Sequence, residues 1–306
     1  MQPPLQPEHI GPYVVESQLI SIYDEVDADI YMVPGNSLLS AEMGFYCQQR
    51  GKKYVFLAGS DIDFNPAYKT EPEKLDLYGV PYSIKAYAIA KAHRHITQNE
   101  HQAYLLQQGY GRVATVIKNP IDLTLAFPRK LAAGTLLWVG KSDERVKRPS
   151  LILELARRLP TYTFVVIMTP AIPETHQQCV EEAHKLPNVT LVNRVPFHEI
   201  EQYFAQAQLH INTSAFEGFP NTFLQAAKYG VPTIAAKVDP GEMLSQHGCG
   251  VSCNDDLEFF VQTVRSFMTN PERYVGASTC CLDYVRTYHD KDKIIPQYEN
   301  ALASLL

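Results

Sequence analysis

Short apolar runs alternate with amphipathic stretches along nearly the whole chain. Residues 28–35 (ADIYMVPG) are an apolar run closed by Pro34-Gly35, the pattern of a buried strand followed by a turn. Residues 37–51 read as a helix stopped by Gly51, and 53–59 as the next strand, which opens into the turn-forming loop SDIDFNP. A helix is expected over 80–92 and a strand over 93–98. Another helix over 99–111, capped by Asn99 and ended by glycine, leads to a strand over 113–120. Upstream, residues 15–26 place Leu19, Ile22 and Val26 on one helical face, and residues 1–14, including Tyr13, read as a loose lead-in.

A second series follows residues 128–134. Strands are expected at 135–141, 163–168, 189–194, 209–214, 231–236 and 248–253, and helices at 149–159, 175–186, 198–207 and 221–230. The tail from residue 279 is helical in two pieces. Strands that alternate with helices form parallel sheets joined by right-handed crossovers. The chain therefore reads as α/β, with two Rossmann-like domains in series: 1–123 and 124–306.

Composition narrows the class. The 306 residues suffice for two domains, and 45% hydrophobic with 20% charged residues suits a globular protein with a real core. A net charge of −6 argues against a nucleic-acid partner, which usually meets a basic surplus. No run of 18 apolar residues is present, and the N-terminus lacks the charged-then-apolar order of a secretory signal. The six cysteines match no zinc spacing, so they are expected to be reduced thiols in a cytoplasmic protein. His93, His95 and His101 lie close in sequence without a carboxylate or cysteine in ligand spacing, and no metal site is expected.

In open parallel sheets, ligands sit outside the carboxyl ends of the strands. After the run at 209–214 the chain turns through Glu217-Gly218-Phe219-Pro220 into a helix that starts at Asn221 and Thr222. The helix N-terminus offers N–H groups and partial positive charge to a phosphate, and Glu217 can accept hydrogen bonds from hydroxyls. A sugar diphosphate uses both. After the strand at 135–141, Lys141 and Lys147 bracket a loop six residues apart, with Gly140 at the strand end. Two cations over one cleft would neutralise a diphosphate. Ser60, Asp61 and Asp63 follow the strand at 53–59, where Asp61 could orient a sugar hydroxyl or an acceptor, or simply cap a turn.

These stretches resemble glycosyltransferase family 4, the group 1 glycosyltransferases of GT-B fold. The family carries a Glu, seven residues, then a second Glu. Glu217 fills the first place and Gln225 stands in the second. The resemblance implies that Glu217 contacts the donor sugar and Gln225 the ribose. It also gives the donor phosphates to Gly140, Lys141 and Lys147, with Lys141 where the family has Arg. NPID (119–122) is similar to the family's hinge, and VDPGEML (238–244) with GCGV (248–251) to the loop that closes on the donor sugar.

The family's domains face each other across a cleft, and its last helix packs back toward the first domain. Here nothing in residues 1–27 matches the opening strand, glycine-rich loop and helix, so the N-terminal domain is expected to be incomplete. The implied function is retaining hexosyl transfer from a UDP- or GDP-sugar to a glycan or lipid-linked acceptor, as in polysaccharide biosynthesis. Glu217, Lys147 and Asp61 would be the catalytic candidates. The donor contacts would come from Gly140, Lys141, Lys147, Glu217, Gly218, Phe219, Pro220, Asn221, Thr222 and Gln225. No metal or other cofactor is implied, and the place of action is the cytoplasm or the inner face of a membrane. The alternative is an inactive nucleotide-sugar-binding module, which the shortened first domain and Gln225 would favour. A nucleotide-sugar epimerase would need more acid/base groups than Glu217 alone.

Overall fold

The computed structural model describes residues 19–76 and 78–306. The expected lead-in over 1–14, with Tyr13, and the start of the helix at residues 15–18 lie outside them. The chain divides into two compact units. One takes the described residues up to Asn119 together with Lys293–Leu306, and the other is Pro120–Asp292.

The first unit holds α1 (Leu19–Val26), β1 (Ile30–Pro34), α2 (Leu38–Arg50), β2 (Lys53–Leu57), α3 (Ala67–Thr70), α4 (Tyr82–Lys91), β3 (Arg94–Thr97), α5 (Glu100–Tyr110) and β4 (Ala114–Val116). Its four strands are all parallel, in the order β1-β2-β3-β4. Cap chemistry sets two of the helices. Ser37 forms a capping box at the start of α2 and Asn99 accepts from Gln102 N at the start of α5, while Gly51 and Gly111 end the two helices in the left-handed conformation.

Two sequence expectations are corrected in this unit. The loop after β2 contains a 3-10 turn, Asp61–Phe64, followed by the single turn of α3. The face of α1 expected to be apolar is turned outward: Ile22 and Val26 are exposed, and Ile20 and Tyr23 pack on the core instead. The edge-on stack of Tyr23, Tyr31 and Tyr46 draws that side of the helix inward.

The second unit comprises β5 (Thr135–Lys141), α6 (Pro149–Arg158), β6 (Thr163–Thr169), α7 (Pro173–His184), β7 (Val189–Val192), α8 (Glu201–Gln206), β8 (Leu209–Asn212), α9 (Asn221–Lys228), β9 (Thr233–Ala235), β10 (Gly250–Ser252), α10 (Leu257–Thr269) and α11 (Pro271–Tyr288). A final helix, α12 (Lys291–Ala303), follows. The strand order is β10-β9-β8-β5-β6-β7, all parallel. Both faces of this sheet are covered. Leu136 and Trp138 of β5 join the cluster under α6, α7 and α10, and Leu137 joins the one under α8 and α9. Helix α10 and the first half of α11 lie in a stretch where no helix was expected from the sequence.

Candidate active site

The sheet of the second unit reverses direction of winding between its neighbours β5 and β8, the switch point at which doubly wound folds place their ligands. The two loops singled out in the sequence leave the carboxyl ends of these two strands. The first is held at its base by Ser142, buried, whose N–H donates to Thr169 O at 2.9 Å and whose Oγ accepts from Ala171 N at 2.8 Å. The Asp143 carbonyl oxygen accepts from Lys147 N at 2.8 Å and Arg148 N at 3.1 Å, which curls the loop back over itself. Pro149 then opens α6 at a position that needs no N–H.

A chain of hydrogen bonds joins this loop to the end of β8. Trp138 Nε1 donates to Thr213 Oγ1 at 2.8 Å, and Thr213 Oγ1 donates to Lys147 O at 2.5 Å. Arg148 adds a clamp, donating to Thr213 O at 2.5 Å and Ser214 O at 3.2 Å and pairing with Asp255 at 2.7 Å. With its backbone so fixed, Lys147 turns its ammonium to Glu217 Oε1. Ser214 Oγ donates to the same carboxylate oxygen at 2.6 Å. The Lys147 and Glu217 side chains retain only 24% and 14% of their exposure, so their attraction is less screened than that of a surface pair.

Beyond Glu217 the corner is built on packing. Gly218, Phe219 and Pro220 are buried. The Phe219 ring lies 4.8 Å from that of His289 and beside Gly241, which brings the 238–244 loop against the same apolar cluster. Pro220 precedes α9 without a side-chain cap, Asn221 is exposed, and Thr222 is half-buried. Gln225 follows one helical turn after Asn221 and is 8% exposed.

The other sequence-predicted residues lie apart from the pair or have another task. Lys141, the last residue of β5, is exposed and makes no bond to the Glu217 corner. Gly140 has a packing reason: a Cβ there would stand 2.6 Å from Trp138 Cη2. The loop's two arginines, which the sequence analysis did not assign, are already engaged: Arg145 by Asp143, and Arg148 by Thr213, Ser214 and Asp255. The sequence reading missed Ser214, Thr213, Trp138 and Asp255. The polar end of the 209–214 run was a signal for the first two, but nothing in the spacing pointed to Asp255, 107 residues from Arg148.

Asp61 stands in the first unit. Burial raises its carboxyl pKa, opposed by Gln102 and by the His101 ring, whose Nε2 is 3.9 Å from Oδ2. Its Oδ1 is buried without a hydrogen-bond partner among the described residues. Asp63 does the capping instead, accepting the N–H groups of Gly59 at 2.7 Å, Ser60 at 2.9 Å and Asn36 at 3.0 Å, and so ties the loops after β1 and β2 together. The histidines serve separate partners: His93 Nδ1 accepts from Tyr54 N, and His95 Nε2 bonds to Ile89 O. All six cysteines are free.

The chain is similar to known proteins. Residues 133–270 match the family model of the glycosyl transferases group 1. Comparison with curated proteins finds no match. Among solved structures, TarM of S. aureus superposes with a TM-score of 0.72 at 13% identity, over 92% of this chain and 57% of that one. Anabaena HepE, solved with UDP and glucose, gives 0.74 at 15% identity, over 99% and 84%. Sucrose-phosphate synthase of Thermosynechococcus elongatus gives 0.74 at 14% identity, over 97% and 78%. The chain thus spans 57% of the length of TarM. At these identities the likeness is one of fold: α/β, with the two parallel Rossmann-like sheets of GT-B glycosyltransferases. The match over residues 133–270 lies within the second unit, which is thus similar to the glycosyl transferases group 1.

Proposed function

We propose that the protein moves a hexosyl group from a UDP- or GDP-sugar to a glycan or lipid-linked acceptor, with retention at the anomeric carbon and without a divalent ion. The observation that carries this reading is the meeting of Lys147 and Glu217. They are 70 residues apart and come from the two loops at the sheet's switch point, and they form one ion pair there. Lys147 offers its charge to the diphosphate, and Glu217 accepts from the sugar hydroxyls. The N-terminus of α9, from Asn221 and Thr222, adds partial positive charge, and Gln225 reaches the ribose with an amide in place of a carboxylate. Lys141 serves as a second cation at the carboxyl end of β5. TarM was solved with UDP, and HepE with UDP and glucose, which supports a nucleotide-sugar donor.

In the transfer, the acceptor oxygen bonds to the anomeric carbon on the face that the diphosphate leaves, and the bond from that carbon to the diphosphate breaks as negative charge develops on the leaving phosphate. Lys147 and the helix end stabilise that charge, each charge-assisted contact contributing roughly 1.5–3 kcal/mol. The leaving phosphate oxygen takes the acceptor's proton on the same face, so no separate base is required. Asp61 is assigned to the acceptor side. Among the described residues no helix is long and apolar enough to cross a membrane, and a lipid-linked acceptor would be met at the inner membrane face by peripheral association.

A thermal-shift panel of UDP-, GDP- and ADP-sugars tests the reading. A donor at 100 times its dissociation constant should stabilise by about 2.7 kcal/mol. Lys147→Ala should abolish most of that shift, and a chelator should leave turnover unchanged. No shift with any donor, or an unchanged shift in Lys147→Ala, would sink the assignment.

A further inference from the structure

In this structure the ammonium that would hold a diphosphate already has a counter-charge. Lys147 pairs with Glu217 Oε1, and Ser214 Oγ donates to the same oxygen. Lys141 makes no bond to the Glu217 corner, and the neighbouring guanidinium groups give Glu217 no substitute. Arg148 is spent on Thr213 O, Ser214 O and Asp255, and Arg145 on Asp143. A pyrophosphate that takes Lys147 therefore leaves the carboxylate, only 14% exposed, with the Ser214 hydroxyl alone. Removing the cation from a largely buried carboxylate is unfavourable unless other donors replace it. A sugar attached to the diphosphate brings such donors as hydroxyl groups at the same corner. A bare nucleoside diphosphate has only its ribose hydroxyls, which the donor-site reading assigns to Gln225.

We infer that the Lys147–Glu217 pair is a selectivity element, which opposes binding of the spent nucleoside diphosphate and is relieved only when a sugar is attached. This rests on the donor-site reading above and deepens it: the site is tuned to hold substrate in preference to its own nucleotide product. Selectivity arises from the penalty on the wrong ligand as much as from attraction to the right one. Glu217 then acts twice, as the competitor of the phosphate for Lys147 and as the acceptor for the sugar hydroxyls.

The test is calorimetric titration of the full chain with UDP, GDP and ADP, and with UDP-glucose and GDP-mannose. Wild type is compared with Glu217→Gln, Lys147→Met and the double variant. Glu217→Gln should bind the preferred bare diphosphate at least about fivefold more tightly, since the competing charge is gone, and the sugar-linked form more weakly. The gain for the bare diphosphate should vanish in the Lys147→Met background. Where Glu217→Gln does not fold, Glu217→Asp draws the carboxylate back by one methylene and should shift the two affinities in the same directions. A diphosphate that binds wild type but gains nothing from either substitution overturns the inference and leaves the donor site standing. Failure of every nucleotide to bind wild type removes the donor site and the inference together.

Discussion

The indole of Trp138 decides what residue 140 can be. It leans along β5 over the backbone two residues on, and its Nε1 is anchored to Thr213, so it cannot swing aside for a methyl group at 2.6 Å from Cη2. Gly140→Ala should cost about 1–3 kcal/mol, as overpacking of a filled core does, read as a lower urea midpoint. The same substitution should weaken donor binding, because Thr213 links the indole to Lys147 O. An unchanged midpoint would mean that the ring has room to move. The strand periodicity of two puts residues 138 and 140 on one face but says nothing of which way a ring leans, so Gly140 could be singled out by resemblance and its reason could not. The same limit separates Lys147 and Glu217, visible as charges beside strand ends, from Ser214 and Arg148, whose roles depend on where the chain brings them.

Whole elements were more legible than their partners. β5 runs from Thr135 to Lys141 as its apolar run marks it, and α5 starts and stops at Asn99 and Gly111, because cap chemistry is local. Asn99→Ala should therefore lower stability by about 1 kcal/mol through loss of the bond to Gln102 N, seen as a small drop in the thermal midpoint of the first unit. A neutral result would show that the helix start is set by packing alone. The apolar face of α1 was misread for the opposite reason. Ile22 and Val26 satisfy the helical period, but the tyrosines across from α1 settle which face goes inward, and they are tertiary partners. α10 has a strongly amphipathic pattern in LEFFVQTVRSFMT and was legible in principle, since its buried side repeats at Phe260, Val261, Val264 and Phe267.

At the scale of the molecule, each unit carries a buried histidine in its sheet, and these make the fold sensitive to acid. His95 in β3 and His210 in β8 are nearly inaccessible, and desolvation lowers their pKa values to about 4 and about 3 from 6.5. Both are neutral in the folded and unfolded chain above pH 6.5, so they cost nothing there. As the pH falls below 6.5 the unfolded chain takes up protons that the folded chain refuses. Stability should drop by up to about 1.4 kcal/mol per pH unit for each histidine until the folded pKa is reached. In the first unit Asp61 and Asp63, whose pKa values burial raises, work in the opposite direction and flatten the slope. The second unit gives the cleaner reading, because Trp138 is the chain's one tryptophan and reports on that unit alone. Its fluorescence-detected urea midpoint should fall steadily from pH 6.5 toward 4.5. His210→Asn, which leaves an amide near Thr233 Oγ1 but cannot take a proton, should lower the midpoint at neutral pH by opening space beside Phe204 and Phe223, yet make it less dependent on pH. A variant whose midpoint falls with acid as steeply as that of wild type would show that His210 is not the group that couples folding of this sheet to protons.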